Sequence, residues 1–302
     1  MIYKALKGAD LVFTQTIGPI GATTLLLARQ RLRTTAAFIH SLDWEVAFQA
    51  VAPIFAKRFV PFFGRRWARF LYRRVQRLFM PSDGISEQFT WEGIHTSRRV
   101  IHLGVNTKQF VPGTQAQKKE IRTQLGFTDE DIVIGYHGRI AREKDLSTLV
   151  RAYIKLRTKH PTLKLLLIGN GVSSLEKKFA KQPGVLLYPA VNDVERFLPA
   201  IDIYALPSLT ETTSLSVLEA MSCALPVVAT PVGFVKDYIT VNKTGLLTKK
   251  KDSYQLAKQL NKLIKNPEHA AKMGKEARAM VQKKFNWDST ASQLVDELET
   301  LL

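Results

Sequence analysis

Glu211 and Glu219 stand eight positions apart in the segment PSLTETTSLSVLEAMSCALPVVAT (207–230). If that stretch is helical, eight positions is a little over two turns, and both carboxylates lie on nearly one face. Paired carboxylates at that spacing can grip the hydroxyls of a sugar. Thr210 is placed to cap the helix, and Thr212, Thr213 and Ser214 leave first-turn N–H groups free to meet an anion. Upstream, Arg139 and Lys144 follow the end of an apolar run. A guanidinium chelates oxygens in a fork and an ammonium adds a point charge. Carboxylates for hydroxyls, with cations and amides for phosphate, suit a sugar nucleotide. The same residues also admit a plainer reading: an amphipathic helix whose acid complements its dipole, and a solvated basic pair on a loop.

These residues need a scaffold, and the chain has the pattern of one. Short apolar runs alternate with helical stretches, the mark of α/β units. Strands are predicted at 132–136, 163–168, 185–188, 201–206 and 227–229, with a weaker one at 245–247. A helix is predicted at 146–158, and 253–302 reads as mostly helical. The strands are apolar throughout rather than alternating, as in a parallel sheet covered on both faces. Arg139 and Lys144 then fall just past a strand end, where open α/β sheets bind ligands. Ahead of this domain, strands are predicted at 11–14, 36–40, 79–81 and 100–103, with a helix at 22–31. The expected organisation is a partial Rossmann-like domain over 1–111, a second one over 112–285, and a C-terminal helix over 286–302 that returns to the first.

Of the 302 residues, 45% are hydrophobic, enough for two sizeable cores, and the net charge is +18. The first 110 residues carry 16 Lys+Arg against 6 Asp+Glu, so the excess is densest there. Such a surface needs a polyanionic neighbour. No helix-turn-helix, zinc-finger or RNA-motif pattern accompanies it, which argues against nucleic acid. The one cysteine, Cys223, excludes an internal disulfide framework, fits a reducing compartment and reads as core packing. The start MIYKALKGAD has no apolar core and the longest nearly uncharged run, 17–28, is too short to span a bilayer. The expected location is cytoplasmic, in solution or peripheral to the inner face of the membrane.

The ordered motifs resemble the retaining glycosyltransferases of family 4, which have two Rossmann-like domains in the GT-B architecture. The carriers are Ile134-Gly135-Tyr136-His137-Gly138-Arg139 with Lys144, then Leu167-Ile168-Gly169-Asn170-Gly171. Pro207-Ser208 through Glu211, Glu219-Ala220-Met221, and the stretch 226–233 continue the match, as do Gly104-Val105-Asn106, Phe110 and Pro112. The resemblance implies transfer of a hexosyl group from a UDP- or GDP-linked sugar, with the anomeric configuration kept. Gly138, Arg139, Lys144 and the amides of Thr213, Ser214 and Leu215 would meet the diphosphate. Glu219 would hold the ribose hydroxyls, Glu211 the transferred sugar, and His40 would lie near the reacting centre. No cofactor and no tightly bound metal are expected, since no Asp-x-Asp motif is present.

There are departures from the family pattern. Asp145 stands where the family has Gly after the lysine, Thr212 where it has Gly after the first glutamate, and Leu103 where Asn precedes Gly-Val. His137 replaces an apolar residue and reads as structural. The family's N-terminal segment, with a glycine-rich loop, is not in this sequence, so the N-terminal domain is expected to be incomplete. The alternative function is accordingly a truncated, non-catalytic module that binds a nucleotide or partner. Finally, 57–79 carries eight Lys/Arg in KRFVPFFGRRWARFLYRRVQRLF. Trp67, Phe70, Leu71, Val75 and Leu78 recur at helical spacing, with Arg65, Arg66, Arg69, Arg73 and Arg77 opposite. A basic, aromatic helix can lie on an anionic membrane, which suggests a lipid or lipid-linked acceptor. A core-facing helix with a basic rim is the plainer alternative.

Overall fold

The computed structural model describes residues 2–40 and 56–302. The chain divides into two compact units, Met1–Leu103 with Ser289–Leu302, and Gly104–Asp288. Each is a parallel α/β unit, as the alternating pattern requires.

In the first unit, β1 (Leu11–Thr14), α1 (Pro19–Gln30), β2 (Thr34–Phe38), α2 (Ala56–Tyr72), β3 (Arg77–Met80), α3 (Asp83–Trp91) and β4 (Arg98–Val100) follow in order. The sheet order is β1-β2-β3-β4, all parallel. Two strands begin earlier than hydrophobicity suggests, at Arg77 and Arg98, where each guanidinium finds a partner for its outer nitrogens. Arg77 pairs with Glu297 at 2.5 Å, and Arg98 donates to the carbonyls of Ser86 and Ile94. The C-terminal helix (Trp287–Glu299) belongs to this unit beyond residue 288, where Leu294 and Leu298 pack with Phe38, Phe79 and Ile101.

The second unit contains α4 (Gln115–Gln124), β5 (Ile132–His137), α5 (Leu146–Arg157), β6 (Leu163–Ile168), α6 (Ser173–Ala180) and β7 (Val185–Tyr188). It continues with β8 (Ile203–Leu206), α7 (Leu215–Ser222), β9 (Val227–Ala229), β10 (Leu246–Leu247), α8 (Ser253–Lys265) and α9 (Pro267–Lys284). The parallel sheet runs β10-β9-β8-β5-β6-β7. Its order reverses between β5 and β8, the Rossmann switch point, where both strands aim their C-terminal ends at one crevice. The strands are apolar along their length because helices cover both faces, and most of their side chains are fully buried.

Helix α7 is anchored from behind. A Cβ at Gly274 would fall 1.9 Å from the carbonyl oxygen of Ala224, so only glycine lets α9 press this close. From α9, Arg278 also donates to the carbonyl of Ser222, the last residue of α7, where a cation complements the dipole. Cys223 sits in this packing; burial pushes its thiol up to about 12, which makes it inert core rather than nucleophile.

Candidate functional site

The switch-point crevice is made by two loops, 138–145 after β5 and 207–214 after β8. The Leu209 N–H donates to the Glu143 carbonyl at 2.7 Å and ties them together. Glycine sets the first loop. Gly138 has φ +132°, Gly169 has φ +142°, and a Cβ on Gly169 would lie 2.0 Å from the Gly138 oxygen. At the end of this loop Asp145 adopts the left-handed conformation, φ +44° and ψ +40°. Aspartate tolerates that region when its side chain bonds locally. Here the Thr148 hydroxyl donates to Asp145 Oδ2 at 2.7 Å. The geometry expected of glycine is therefore kept. Thr212 is not among the residues at positive φ, so it replaces glycine without strain.

Glu211 is not on the helix. The helix begins at Leu215, its N-cap is Ser214, and Thr210 caps nothing; Glu211 lies on the preceding loop. Ser214 is extended and Thr212 lies in a bend, so the two carboxylates arrive by different routes rather than on one helical face. Lys144 Nζ lies 2.6 Å from Glu211 Oε1, and Ser208 Oγ donates to the same oxygen at 2.7 Å. The Ser208 carbonyl in turn accepts from Thr230, and the Thr212 carbonyl from the Phe234 N–H. A Cβ at Gly233, φ +53°, would lie 2.0 Å from the Glu211 carbonyl oxygen. The turn 230–234 thus braces the loop that carries Glu211.

The helix start is open to an anion. Leu218 makes the first turn's backbone bond, to the Ser214 carbonyl at 3.4 Å, and the N–H groups of Leu215, Ser216 and Val217 have no partner among the described residues. The Ser214 N–H is not available: it donates to the Tyr238 hydroxyl at 3.0 Å. Of the expected amides, those of Thr213 and Leu215 remain. The Thr213 hydroxyl oxygen is buried and unpartnered among the described residues.

Arg139 is exposed and bonds Glu143 at 2.9 Å rather than joining the Lys144–Glu211 pair. His137, at the end of β5, was expected to be structural. Its Nε2 lies 2.7 Å from Glu219 Oε2, with the imidazole buried. The signal was present in the sequence as a polar residue ending an apolar strand beside Gly-Arg. In the first unit His40 follows β2; the residue is exposed as a whole, but its ring stacks on Phe38 at a centroid distance of 4.7 Å, which shields one face from water. Desolvation holds its pKa below the usual 6.5. Among the described residues no group of three or more His, Cys, Asp or Glu side chains is placed to hold a metal ion.

Helix α2 does not present one apolar stripe with arginines opposite. Ala68, Leu71, Tyr72 and the following Val75 turn inward, while Phe62, Phe63, Trp67 and Phe70 are exposed. The aromatic residues are therefore shared between core and surface. Arg65 and Arg69 pair with Glu92, and Arg73 donates to the Gly93 carbonyl. Arg66 stays beside Phe62, and Arg74 stacks on Phe70, 3.5 Å from the ring centroid. No described helix is long and apolar enough to cross a membrane.

A two-unit α/β chain with a polar, glycine-built crevice at a Rossmann switch point has the GT-B architecture. Residues 117–280 match the family described as glycosyl transferases group 1, and with more than half of the chain covered the protein belongs to that family. The chain is 30% identical over 223 residues to a GDP-mannose-dependent monoacylated alpha-(1-6)-phosphatidylinositol monomannoside mannosyltransferase of Corynebacterium glutamicum, covering 69% of this chain and 58% of that one. It is 31% identical over 237 residues to the sulfoquinovosyl transferase SQD2 of Arabidopsis thaliana, covering 76% and 45%. The chain spans about half the length of the curated relatives it matches. Among solved structures, Anabaena HepE in complex with UDP superposes with a TM-score of 0.85 at 20% identity, over 99% of this chain and 82% of that one. A sucrose-phosphate synthase from Thermosynechococcus elongatus gives 0.82 at 25% identity, over 99% and 75%.

Proposed function

We propose that the chain transfers a hexosyl group from a UDP- or GDP-linked sugar to an acceptor, with retention of the anomeric configuration. The observation that carries this reading is the Lys144–Glu211 pair beside the open start of α7. A carboxylate poised for sugar hydroxyls would repel a dianionic diphosphate next to it. Lys144 offsets that charge at 2.6 Å, and the free amides at the helix start supply hydrogen bonds to the phosphates. Arg139, exposed on a glycine-flanked loop, would swing from Glu143 to the leaving oxygens. Charge on the departing diphosphate is met by these cations and amides, so no tightly bound metal is invoked. Glu219 would hold the ribose hydroxyls, and the role of His40 toward the sugar rests on the resemblance alone. A relative named for a phosphatidylinositol mannoside substrate and the exposed aromatic–arginine face of α2 support a lipid or lipid-linked acceptor. The protein would then work as a peripheral protein on the cytoplasmic face of an anionic membrane.

Titration calorimetry with UDP and GDP tests the donor site. Saturable binding of one nucleotide is expected, weakened at least about tenfold by Arg139→Ala and by Glu219→Ala. Absence of binding to both nucleotides would overturn the reading.

A further inference from the structure

A histidine ending an apolar strand is costly unless it is bonded, because a buried ring nitrogen without a partner loses its hydration for nothing. His137 is such a residue. Its Nε2 meets Glu219 Oε2 at 2.7 Å, while its Nδ1 is buried without a partner among the described residues. An ionised carboxylate only accepts, so Nε2 is the donor and the ring has one bonding task. Packing alone would be served better by the apolar residue that the family resemblance puts here.

Tyr204 packs beside the ring and bonds the backbone that carries it. The ring centroids are 5.2 Å apart, and the Tyr204 hydroxyl donates to the His137 carbonyl at 3.2 Å. Burial raises the pKa of Tyr204, which keeps that hydroxyl a neutral donor. Glu219, by contrast, is partly open to solvent, and among the described residues its carboxylate has no bonded side chain except His137. One oxygen is fixed and the other is free. That is the arrangement of a carboxylate set in advance for a pair of neighbouring hydroxyls, with its rotamer entropy removed before the ligand arrives.

We propose that His137 is a positioning residue that orients Glu219 toward the ribose diol, and so makes the donor site prefer ribonucleotides to 2′-deoxyribonucleotides. The proposal rests on the donor-site reading above. His137 touches no reacting atom; it acts through Glu219.

Calorimetry with UDP, dUDP, GDP and dGDP on the full chain tests it. Wild-type protein prefers the ribonucleotide of its base by about tenfold, the worth of a hydrogen bond to a charged group. His137→Leu reduces that preference to below about threefold and leaves deoxyribonucleotide affinity within about twofold of wild type. His137→Gln, which retains an N–H donor, keeps most of the preference. His137→Asn, too short to reach Glu219, reproduces the loss and carries the test if the leucine variant does not fold. A ribose preference that survives His137→Leu or His137→Asn overturns the proposal. So does a parallel loss of ribo- and deoxyribonucleotide affinity, which marks a merely structural role. Wild-type binding without ribose preference overturns this proposal and leaves the donor site standing, whereas no nucleotide binding at all overturns both.

Discussion

Lys144 Nζ and Glu211 Oε1 lie 2.6 Å apart, with the glutamate side chain 8% exposed and the lysine 17%. A pair this sheltered contributes little net stability when intact, but removing one partner strands the other charge. Lys144→Met therefore costs about 3 kcal/mol in urea unfolding, and adding Glu211→Gln recovers most of it. On the role proposed for Glu211 toward the sugar, both variants are expected to lose transfer activity, since the carboxylate and its countercharge would act together. An unchanged urea midpoint in Lys144→Met would refute the pairing.

The second prediction concerns the turn behind that pair. Gly233 has φ +53° and its missing Cβ would sit 2.0 Å from the Glu211 carbonyl oxygen. Alanine there is strained by its backbone and displaces the loop. Gly233→Ala is expected to lower stability by about 1–3 kcal/mol and to weaken UDP or GDP binding as well. Loss of stability with full nucleotide affinity would separate the turn from the site.

Much of this was legible from residue order. The strands of the second unit, and the gathering of cations just past a strand end, follow from apolar runs ending in Gly-Arg and Gly-Asn-Gly; the pairing of Lys144 with Glu211 does not. The position of Glu211 was not legible. Spacing of eight fits one helical face, but Thr212-Thr213-Ser214 favour extended backbone, and the helix starts only at Leu215. A polar residue ending an apolar strand marked His137 out, but its partner was not legible, because Glu219 is distant in sequence and meets it through the β5–β8 adjacency. On α2, periodicity could not tell which aromatic residues faced the core, since Trp67 and Leu71 share a helical stripe yet differ in burial.

A third prediction follows from His40. Its folded-state pKa is lowered from 6.5 by desolvation. Between that lowered value and 6.5 the native state binds fewer protons than the unfolded chain. The contribution is full above 6.5 and is lost as pH falls through the folded pKa. NMR titration of the imidazole should give a midpoint below 6.5, and His40→Gln should flatten the acid side of the stability profile in that window. A midpoint above 6.5 would contradict the desolvation of the stacked ring.

The exposed face of α2 carries the last prediction. Phe62, Phe63, Trp67 and Phe70 are between 41% and 63% exposed, and Arg66 and Arg74 lie over or beside their rings with no carboxylate partner among the described residues. Arg65 and Arg69 already share Glu92, so Arg66 and Arg74 are the cations best placed to meet an outside anion. Each basic charge near an anionic bilayer contributes about 1 kcal/mol, so Arg66→Ala with Arg74→Ala lowers binding to phosphatidylglycerol vesicles about 30-fold. Trp67→Ser with Phe70→Ser weakens binding too, but leaves its salt dependence, because the aromatic rings supply burial and the arginines supply charge. Flotation that is equal on neutral and anionic vesicles, or insensitive to both pairs of substitutions, would show that this face serves something other than a membrane.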